Sequence, residues 1–453
     1  MGFSESAGQA TTEGQPASFI RRTTDAVRNA LAPARARLGM LEVDTRLIGM
    51  IGALVIIWVG FNIAGHGTFL TARNLWNLSV QSASIAIMAT GMVMIIVSRN
   101  IDLSVGSMLA FLGYTMAMIQ AIWLPQLVGD QPQPWIWIVT IIVGIGLGAL
   151  IGSIQGFIVA YGGVPSFIVT LGGLLVWRGL IFRYAQGQTI APLDQTFQML
   201  GGGTVGTRVG ALGDIASWAL GALACAAIVL SLIGARRRKR RYGFPTRPLW
   251  AEVLVGALGC AAALGAVAVA ISYPLPPNVA DAVAKERGIP VPPGGFATGV
   301  AIPVLVLLIV GIVVTFLATR RQFGRYVFAI GGNPDAAALG GINVKRTILK
   351  TFALMGVLAA VSAAVQTARL NGAVTNLGTQ NELDVISAAV IGGTSFAGGI
   401  GTIPGAILGA VVMQSLRSGM VLLLVDSPTQ DIVVGVVLVA AVGLDTLLRR
   451  KSG

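Results

Sequence analysis

Long apolar runs constrain this chain more than any other feature of its sequence. Several of them approach or exceed the ~18–20 residues that a helix needs to cross a hydrocarbon core of ~30 Å. Inside lipid every backbone polar group must be bonded within the protein, so each run is expected to be helical. Only 11% of the 453 residues are charged, whereas about 25% is usual in soluble domains. We therefore predict an all-α fold, a polytopic integral membrane helical bundle.

The apolar runs predict about 12 transmembrane helices, which together make 47–448 the transmembrane domain. Their expected boundaries are 47–64, 79–98, 103–124, 135–160, 166–185, 211–234, 249–273, 299–319, 348–369, 383–399, 402–424 and 430–448. The least regular part is IGGTSFAGGIGTIPGAILGA, residues 391–410. Such glycine-rich sequence is compatible with a re-entrant pair, with broken helices that line a cavity, or with a tightly packed helical hairpin.

Basic residues are distributed unevenly around these runs. If the N-terminus lies inside, the cytoplasmic parts are the tail 1–46, the loops 235–248 and 320–350, and the tail 449–453, which together hold 22 Lys and Arg residues. The predicted external segments, including the Pro-rich loop 274–298, hold six. Because basic residues are retained on the cytoplasmic side, we predict that both termini are cytoplasmic and that the membrane is a plasma or inner membrane.

Residues 330–346, IGGNPDAAALGGINVKR, combine helix start and stop signals in a predicted cytoplasmic loop. Asn333 is a favoured N-cap and Pro334 suits the first helical position. Alanines and a leucine follow, and a glycine pair then ends the helix. A helix this short is marginal in water, so it should dock on another protein or, alternatively, on the protein's own surface. In the first case a bulky or charged residue at Ala337 should abolish uptake, and uncouple ATPase stimulation by a loaded binding protein, while the chain stays folded in the membrane.

Four segments carry a resemblance to a known family. The chain resembles the permease subunits of ATP-binding-cassette sugar importers, within the ribose/xylose/branched-chain amino acid permease family. The segments are RRQFGRYVFAIGGNPDAAALGGINVKR (320–346), SRNIDLSVGSMLAFLG (98–113), GGVPSFIVTLGGLLVWRGL (162–180) and NGAVTNLGTQNELDVISAAVIGGTSFAGGIGTIPGAILGA (371–410).

The length of the chain and its extra stretch 211–298 are most similar to the D-xylose-type subgroup of this family. The resemblance also implies that shorter members of the family have about ten spans. Ten is therefore the alternative to 12, and the two additional spans would be an inserted pair around 211–273. Gln155 departs from the family pattern, in which Asn is common at the corresponding place.

The resemblance implies a set of partners. Two permease copies would form a homodimer with a central path in the lipid bilayer of the inner membrane. A cytoplasmic ATPase subunit would use ATP and Mg and grip a coupling helix, and an external sugar-binding protein would deliver substrate. The implied coupling helix comprises Gly332, Asn333, Pro334, Asp335, Ala336, Ala337, Leu339, Gly340, Gly341 and Ile342.

Polar residues at membrane depth are candidates for the substrate path, because such groups are costly in lipid. Sugar hydroxyls need amide and carboxylate partners together with an aromatic face. For Asp102, capping of the third span is a competing structural role. The candidates are Asn100, Asp102, Ser104, Gln155, Trp177, Asn371, Asp384, Ser387, Thr394 and Phe396.

No cofactor is expected on this chain itself. A P-loop requires GxxxxGK[ST], and none of the five lysines follows a glycine. His66 is the only histidine and the two cysteines lie inside apolar runs, so no metal site is predicted. The basic run 235–244 anchors topology rather than binding nucleic acid, because it separates two spans. The chain is therefore predicted to be a transport subunit and not an enzyme.

Three functions are compatible with the sequence. The first is an ATP-driven importer permease, for which D-xylose is the best single substrate and other small sugars or a branched-chain amino acid remain open. The second is a gradient-driven secondary transporter, and the third is a membrane scaffold or enzyme.

Two segments of the sequence share one spacing, in which an arginine follows a proline by the same number of residues. The pairs are Pro165 with Arg178 and Pro404 with Arg417, and they either mark a parallel internal repeat or arise by chance.

Overall fold

The computed structural model describes residues 45–129 and 133–450, so most of the predicted tails 1–46 and 449–453 lies outside the described residues. Helices dominate, and one short β-hairpin is present within the described ranges. The elements are α1 (Thr45–Ala64), α2 (Ala72–Val97), α3 (Val105–Met118), α4 (Leu124–Val128), α5 (Ile136–Ala160), α6 (Ser166–Ala185), α7 (Gln195–Met199), β1 (Thr204–Val205), β2 (Arg208–Val209), α8 (Gly213–Arg241), α9 (Leu249–Ile271), α10 (Pro277–Arg287), α11 (Ile302–Arg320), α12 (Gln322–Gly332), α13 (Pro334–Leu339), α14 (Val344–Leu370), α15 (Asn381–Ile391), α16 (Ile403–Leu422) and α17 (Ser427–Arg450).

Ten helices in the described residues are long and apolar enough to cross a membrane. This confirms the helical bundle and agrees with the alternative number of ten rather than with 12. A π-helical stretch, Ile119–Trp123, joins α3 to α4, and the three form one continuous span. Of the other predicted spans, 430–448 falls in α17, whose apolar part is shorter.

The predicted span 383–399 is wrong as a single helix. Helix α15 has only 11 residues, about 17 Å at 1.5 Å per residue, which is too short for a core of ~30 Å. The glycines after it explain the break, because Gly393, Gly398 and Gly399 have positive φ angles of 90°, 85° and 72°. A left-handed backbone is readily available to glycine but ends a right-handed helix.

The segment 371–402 nevertheless runs from one end of the bundle to the other. Helices α2 and α14 are antiparallel, because Ser84 contacts Ser362 while Gly91 lies against Leu358. Residues just after α14 therefore lie near the start of α2, whereas the Gly399 amide donates to the carbonyl of Val97 at its end. We call 371–402 the discontinuous segment, and we call the two ends of the bundle the Asn371 end and the Val97 end.

The core centres on α2, in which almost every side chain from Leu78 to Val97 is buried. A helix that is apolar all round belongs in such a position. Helix α14 packs beside α2, and α5 packs on α14 through glycines spaced four residues apart along α5. At Gly148 and Gly152 a Cβ would overlap the backbone of α14, so the two helices approach as small-residue interfaces in membranes allow.

The described chain divides into two compact units. The smaller, in its described part, is Ala224–Ala262 with Thr45, and the larger comprises the rest. In the smaller unit, the basic residues 236–241 form the last turns of α8 rather than a loop, and Arg236 pairs with Glu252 on α9. In the larger unit, the predicted external loop 274–298 contains α10, whose apolar face packs against Phe296.

Candidate functional site

Helix α13 forms where the cap signals predict it. The Asn333 side chain accepts a hydrogen bond from the Ala336 amide at 3.0 Å, and Pro334 occupies the first turn. The chain then leaves through Gly341, at φ 83°, and the Ile342 amide bonds back to the Ala337 carbonyl at 3.0 Å. Local sequence therefore specifies both ends of this two-turn helix.

The faces of α13 differ sharply. Leu339 is 91% exposed whereas Ala337 is 7% exposed, and Asp335 faces solvent. A bulky residue at Ala337 would disturb the protein's own packing, so Ala337 is the wrong position for testing an external partner. Leu339 is the better one, because an apolar side chain that makes so little contact with its own protein is available to another surface.

Helix α12 supplies a fixed support for α13. The Arg99 guanidinium donates to the carbonyls of Gly331 and Gly332 at 2.8 and 2.7 Å. A Cβ on Gly331 would overlap Val97 and Gly399, so the end of α12 lies directly against α2 and the discontinuous segment. Helix α13 is therefore joined to a helix whose end contacts the core directly.

Four of the predicted path residues meet at one place near the start of α3. Ser104 donates to Asp102 at 2.6 Å and accepts from the Gln155 amide at 2.9 Å. Gly173 on α6 lies beside Ser104, Gln155 and the Trp177 indole nitrogen. The sequence placed these residues on three different predicted spans, and the tertiary fold joins them.

This polar cluster contains unsatisfied groups. Asp102, Ser104 and Gln155 are at most 3% exposed. The second carboxylate oxygen of Asp102 and the Trp177 N–H have no hydrogen-bond partner among the described residues. Burial raises the pKa of Asp102 to about 6, although the hydrogen bonds that Ser104 donates to the carboxylate act in the opposite direction and lower this pKa. Asp102 also accepts a hydrogen bond from the Ser104 amide at 2.9 Å. The N-cap residue of α3 is Ser104, however, and no side chain caps this helix, so the predicted capping role of Asp102 is wrong.

The remaining candidates for the substrate path do not lie together at one place. Asn100 lies beside the cluster but bonds to Ser98. Asn371 ends α14 and accepts from the Leu193 amide at 2.9 Å, at the opposite end of the bundle from Phe396, which is 37% exposed. Ser387 and Thr394 are buried, and their hydroxyls lack partners among the described residues.

Two arginines hold the discontinuous segment. Arg417 on α16 pairs with Asp384 at 2.8 Å and approaches Asp431 at 3.6 Å. Arg178 on α6 donates to the carbonyls of Thr375 and Leu377 at 3.2 and 2.9 Å. Arg417 thus holds this segment through a carboxylate, whereas Arg178 holds it through backbone carbonyls.

Comparison with known proteins decides the family. The family described as branched-chain amino acid transport system, permease component, matches residues 74–442. The chain is 38% identical over 410 residues to the xylose transport system permease protein XylH of Haemophilus influenzae, covering 90% of this chain and 98% of that protein. It is 37% identical to XylH of Escherichia coli K12 over 414 residues, 91% and 95% of the two chains.

The chain belongs to this permease family. The ribose import permease protein RbsC of E. coli K12 is a more distant relative, 31% identical over 396 residues, 87% of this chain and 92% of that protein. No solved structure gives a significant match. The permease is thus a transport subunit and not an enzyme. With ten apolar helices in its described part, it is a multi-pass inner-membrane protein, as predicted.

Sequence reasoning missed two residues that organise this permease. Arg99 holds the end of α12 through its hydrogen bonds to Gly331 and Gly332. In the sequence it is marked only by its position as an isolated arginine between two predicted spans. Gly173 gives the polar cluster room on the face of α6, and nothing in the sequence separates it from its neighbour Gly172, which has open space around it.

Proposed function

We propose that this permease is the membrane subunit of an ATP-driven monosaccharide importer, with D-xylose as the substrate. The choice of sugar rests on the similarity to the two xylose transport system permease proteins described above. A second permease copy would complete the path, an external sugar-binding protein would supply the substrate, and a separate ATPase would bind ATP and Mg. The alternative of a secondary transporter has no support from the family assignment.

The observation that carries the ATP-driven part is the exposed face of α13. This helix is capped at both ends, rests on the pinned end of α12, and projects Leu339 away from the protein. A cytoplasmic ATPase needs a contact element of this kind, which is rigid, exposed and joined to the core. We therefore assign 332–342 as the segment on which the ATPase pushes, and the Val97 end as the cytoplasmic end.

Leu339→Glu tests this assignment. The side chain makes little contact within its own subunit, so the variant should reach the membrane at the wild-type level. A buried charge without a partner weakens an interface by several kcal/mol, and a loss of ~1.4 kcal/mol corresponds to a tenfold weaker interaction. D-xylose uptake and ATPase stimulation by the loaded binding protein should therefore both fall by at least about tenfold.

Phe244→Glu is the matched control, because Phe244 is 64% exposed, lies in the predicted cytoplasmic loop 235–248 and is outside 332–342. It should retain uptake. Normal uptake and normal ATPase stimulation in Leu339→Glu would contradict the proposal, whereas loss of co-purification with the ATPase would support it.

A further inference from the structure

A polar recess of about 150 Å³ lies inside the larger unit, between α2, α14, α15 and α16. Its wall on α14 includes Gln366 and Arg369, and its wall on α16 includes Gln414 and Arg417. Residues three or four apart share one face of a helix, so each helix turns a polar face inward here. Polar groups at membrane depth that face a bundle interior are functional candidates.

The recess contains hydrogen-bonding capacity that the protein does not use. Gln414 is 7% exposed, yet its amide makes no hydrogen bond with any described residue. The Gln366 carbonyl oxygen accepts from Ser84 and Asn381, both at 3.3 Å, which leaves its N–H₂ group unbonded within the described ranges. Neither amide is among the fully buried polar atoms that lack a partner, so both are open to the recess, where they are available to a polar guest.

The charges in the recess favour a neutral guest with many hydroxyls. Asp384 is 3% exposed and is held by Arg417, so its carboxylate is a fixed acceptor. Amides and the Arg369 guanidinium add donors around it. A hydroxyl both donates and accepts, and it therefore matches a mixed lining better than an anion or an apolar molecule does.

The volume agrees with a small sugar. At about 15 Å³ for each water-sized group, the recess has room for on the order of ten such groups, which is the size of a pentose. Its position near the start of α2 and the end of α14 places it towards the Asn371 end, where an external protein would deliver substrate.

We propose that this recess is a monosaccharide site within a single permease subunit. The inference rests on the proposed function and deepens it by naming where the sugar binds. Because Asp384 belongs to the discontinuous segment, sugar in the recess would contact the least regular crossing of the membrane directly.

Cysteine protection in the assembled transporter tests the site. Cys225 and Cys260 are first replaced by serine, and Thr379→Cys then places one exposed thiol at the recess. With D-xylose at about ten times its dissociation constant, labelling by a membrane-impermeant thiol reagent should slow about tenfold, since protection follows occupancy. Thr204→Cys, exposed on the hairpin, should label at an unchanged rate.

A second variant separates binding from general damage. Gln414→Met keeps the size of the side chain and removes its amide, so it should abolish protection of the Thr379→Cys thiol by D-xylose. Gln120→Met is its control, because Gln120 is 5% exposed and bonds to Met116 and Asp194 away from the recess. It should leave the protection intact.

Several results would overturn the site. They are equal slowing at Thr204→Cys, unchanged protection in Gln414→Met, and protection by inorganic phosphate but not by D-xylose. Uptake by the unsubstituted assembly is measured in parallel. Uptake of D-xylose without protection removes the recess and leaves the proposed function standing, whereas absence of uptake removes the proposed function itself.

Discussion

Single charged residues inside this bundle are placed by hydrogen bonds rather than by contact with water. Arg178 and Arg417 follow a proline at the same spacing on α6 and α16, which are both 20-residue helices. Each contacts the discontinuous segment, Arg178 through carbonyls and Arg417 through Asp384. The similarity that the sequence suggested as a repeat thus has a common structural role, although the partner atoms differ.

Asp102 gives a prediction at this scale, through the dependence of stability on pH. Burial raises its pKa from 3.8 to about 6, so the folded protein keeps a proton that an unfolded chain releases. The free energy of unfolding should therefore fall by about 3 kcal/mol as pH rises from about 4 to 6, and stay low above that. Asp102→Asn, which carries no ionisable group, should remove this fall.

The measurement is the unfolding temperature of wild type and variant in detergent between about pH 4 and 7, the range that contains the expected fall. Asn can still accept the bonds from Ser104, so the variant should gain on the wild type as pH rises. Asp281→Asn controls for loss of a carboxylate elsewhere. A constant difference between wild type and Asp102→Asn at all pH values would contradict the prediction.

At the scale of elements, the glycines separate into two roles. Those of the discontinuous segment break helix α15 and let the chain turn beside Val97. Those of α5 keep its helix intact and bring it against α14. Glycine content alone allows either close packing or a broken helix in each of these two regions. The spacing of the glycines and the identity of the neighbouring helix decide which of the two occurs.

Gly148→Ala tests the close approach of α5 and α14. Its Cβ would overlap the carbonyl oxygen of Gly356, and neither backbone can move without separating the helices. Overpacking of this kind costs about 1–3 kcal/mol or more, so the unfolding temperature in detergent should drop clearly.

Gly146→Ala is the matched control on the same helix, because a Cβ at Gly146 meets open space. It should be neutral or slightly stabilising, since alanine is the better helix former by up to ~1 kcal/mol. Equal unfolding temperatures for the two variants would show that the packing of α5 on α14 is not limiting.

At the scale of the whole molecule, the distribution of basic residues predicts the orientation. The hairpin lies at the Asn371 end, because Gly201 contacts Arg369 and Gly202 contacts Trp76. Helix α13 lies at the Val97 end. If the positive-inside rule holds, these two elements are on opposite sides of the membrane, with the hairpin outside.

Thiol labelling of intact cells measures this orientation. In the background without Cys225 and Cys260, Thr204→Cys should react with an impermeant reagent, because it is exposed on β1. Ala338→Cys, exposed on α13, should react only after the cells are permeabilised. Labelling of Ala338→Cys in intact cells would reverse the orientation and place α13 out of reach of any cytoplasmic ATPase.

Much of this permease follows from its amino-acid sequence alone, because the relevant forces are local. Hydropathy and length specify membrane helices residue by residue, and Asn333, Pro334 and Gly341 specify α13 through caps within a few residues of one another. These features need no knowledge of which helices are neighbours.

Long-range packing decided the rest. Ser104, Gln155 and Trp177 meet because α3, α5 and α6 come together. Gln366 and Gln414 line one recess because α14 and α16 both pack on α2. Apolar helices of similar composition offer many alternative pairings. Only the tertiary structure selects one of them, since the selection depends on close backbone contact and on buried polar groups finding partners across distant parts of the chain.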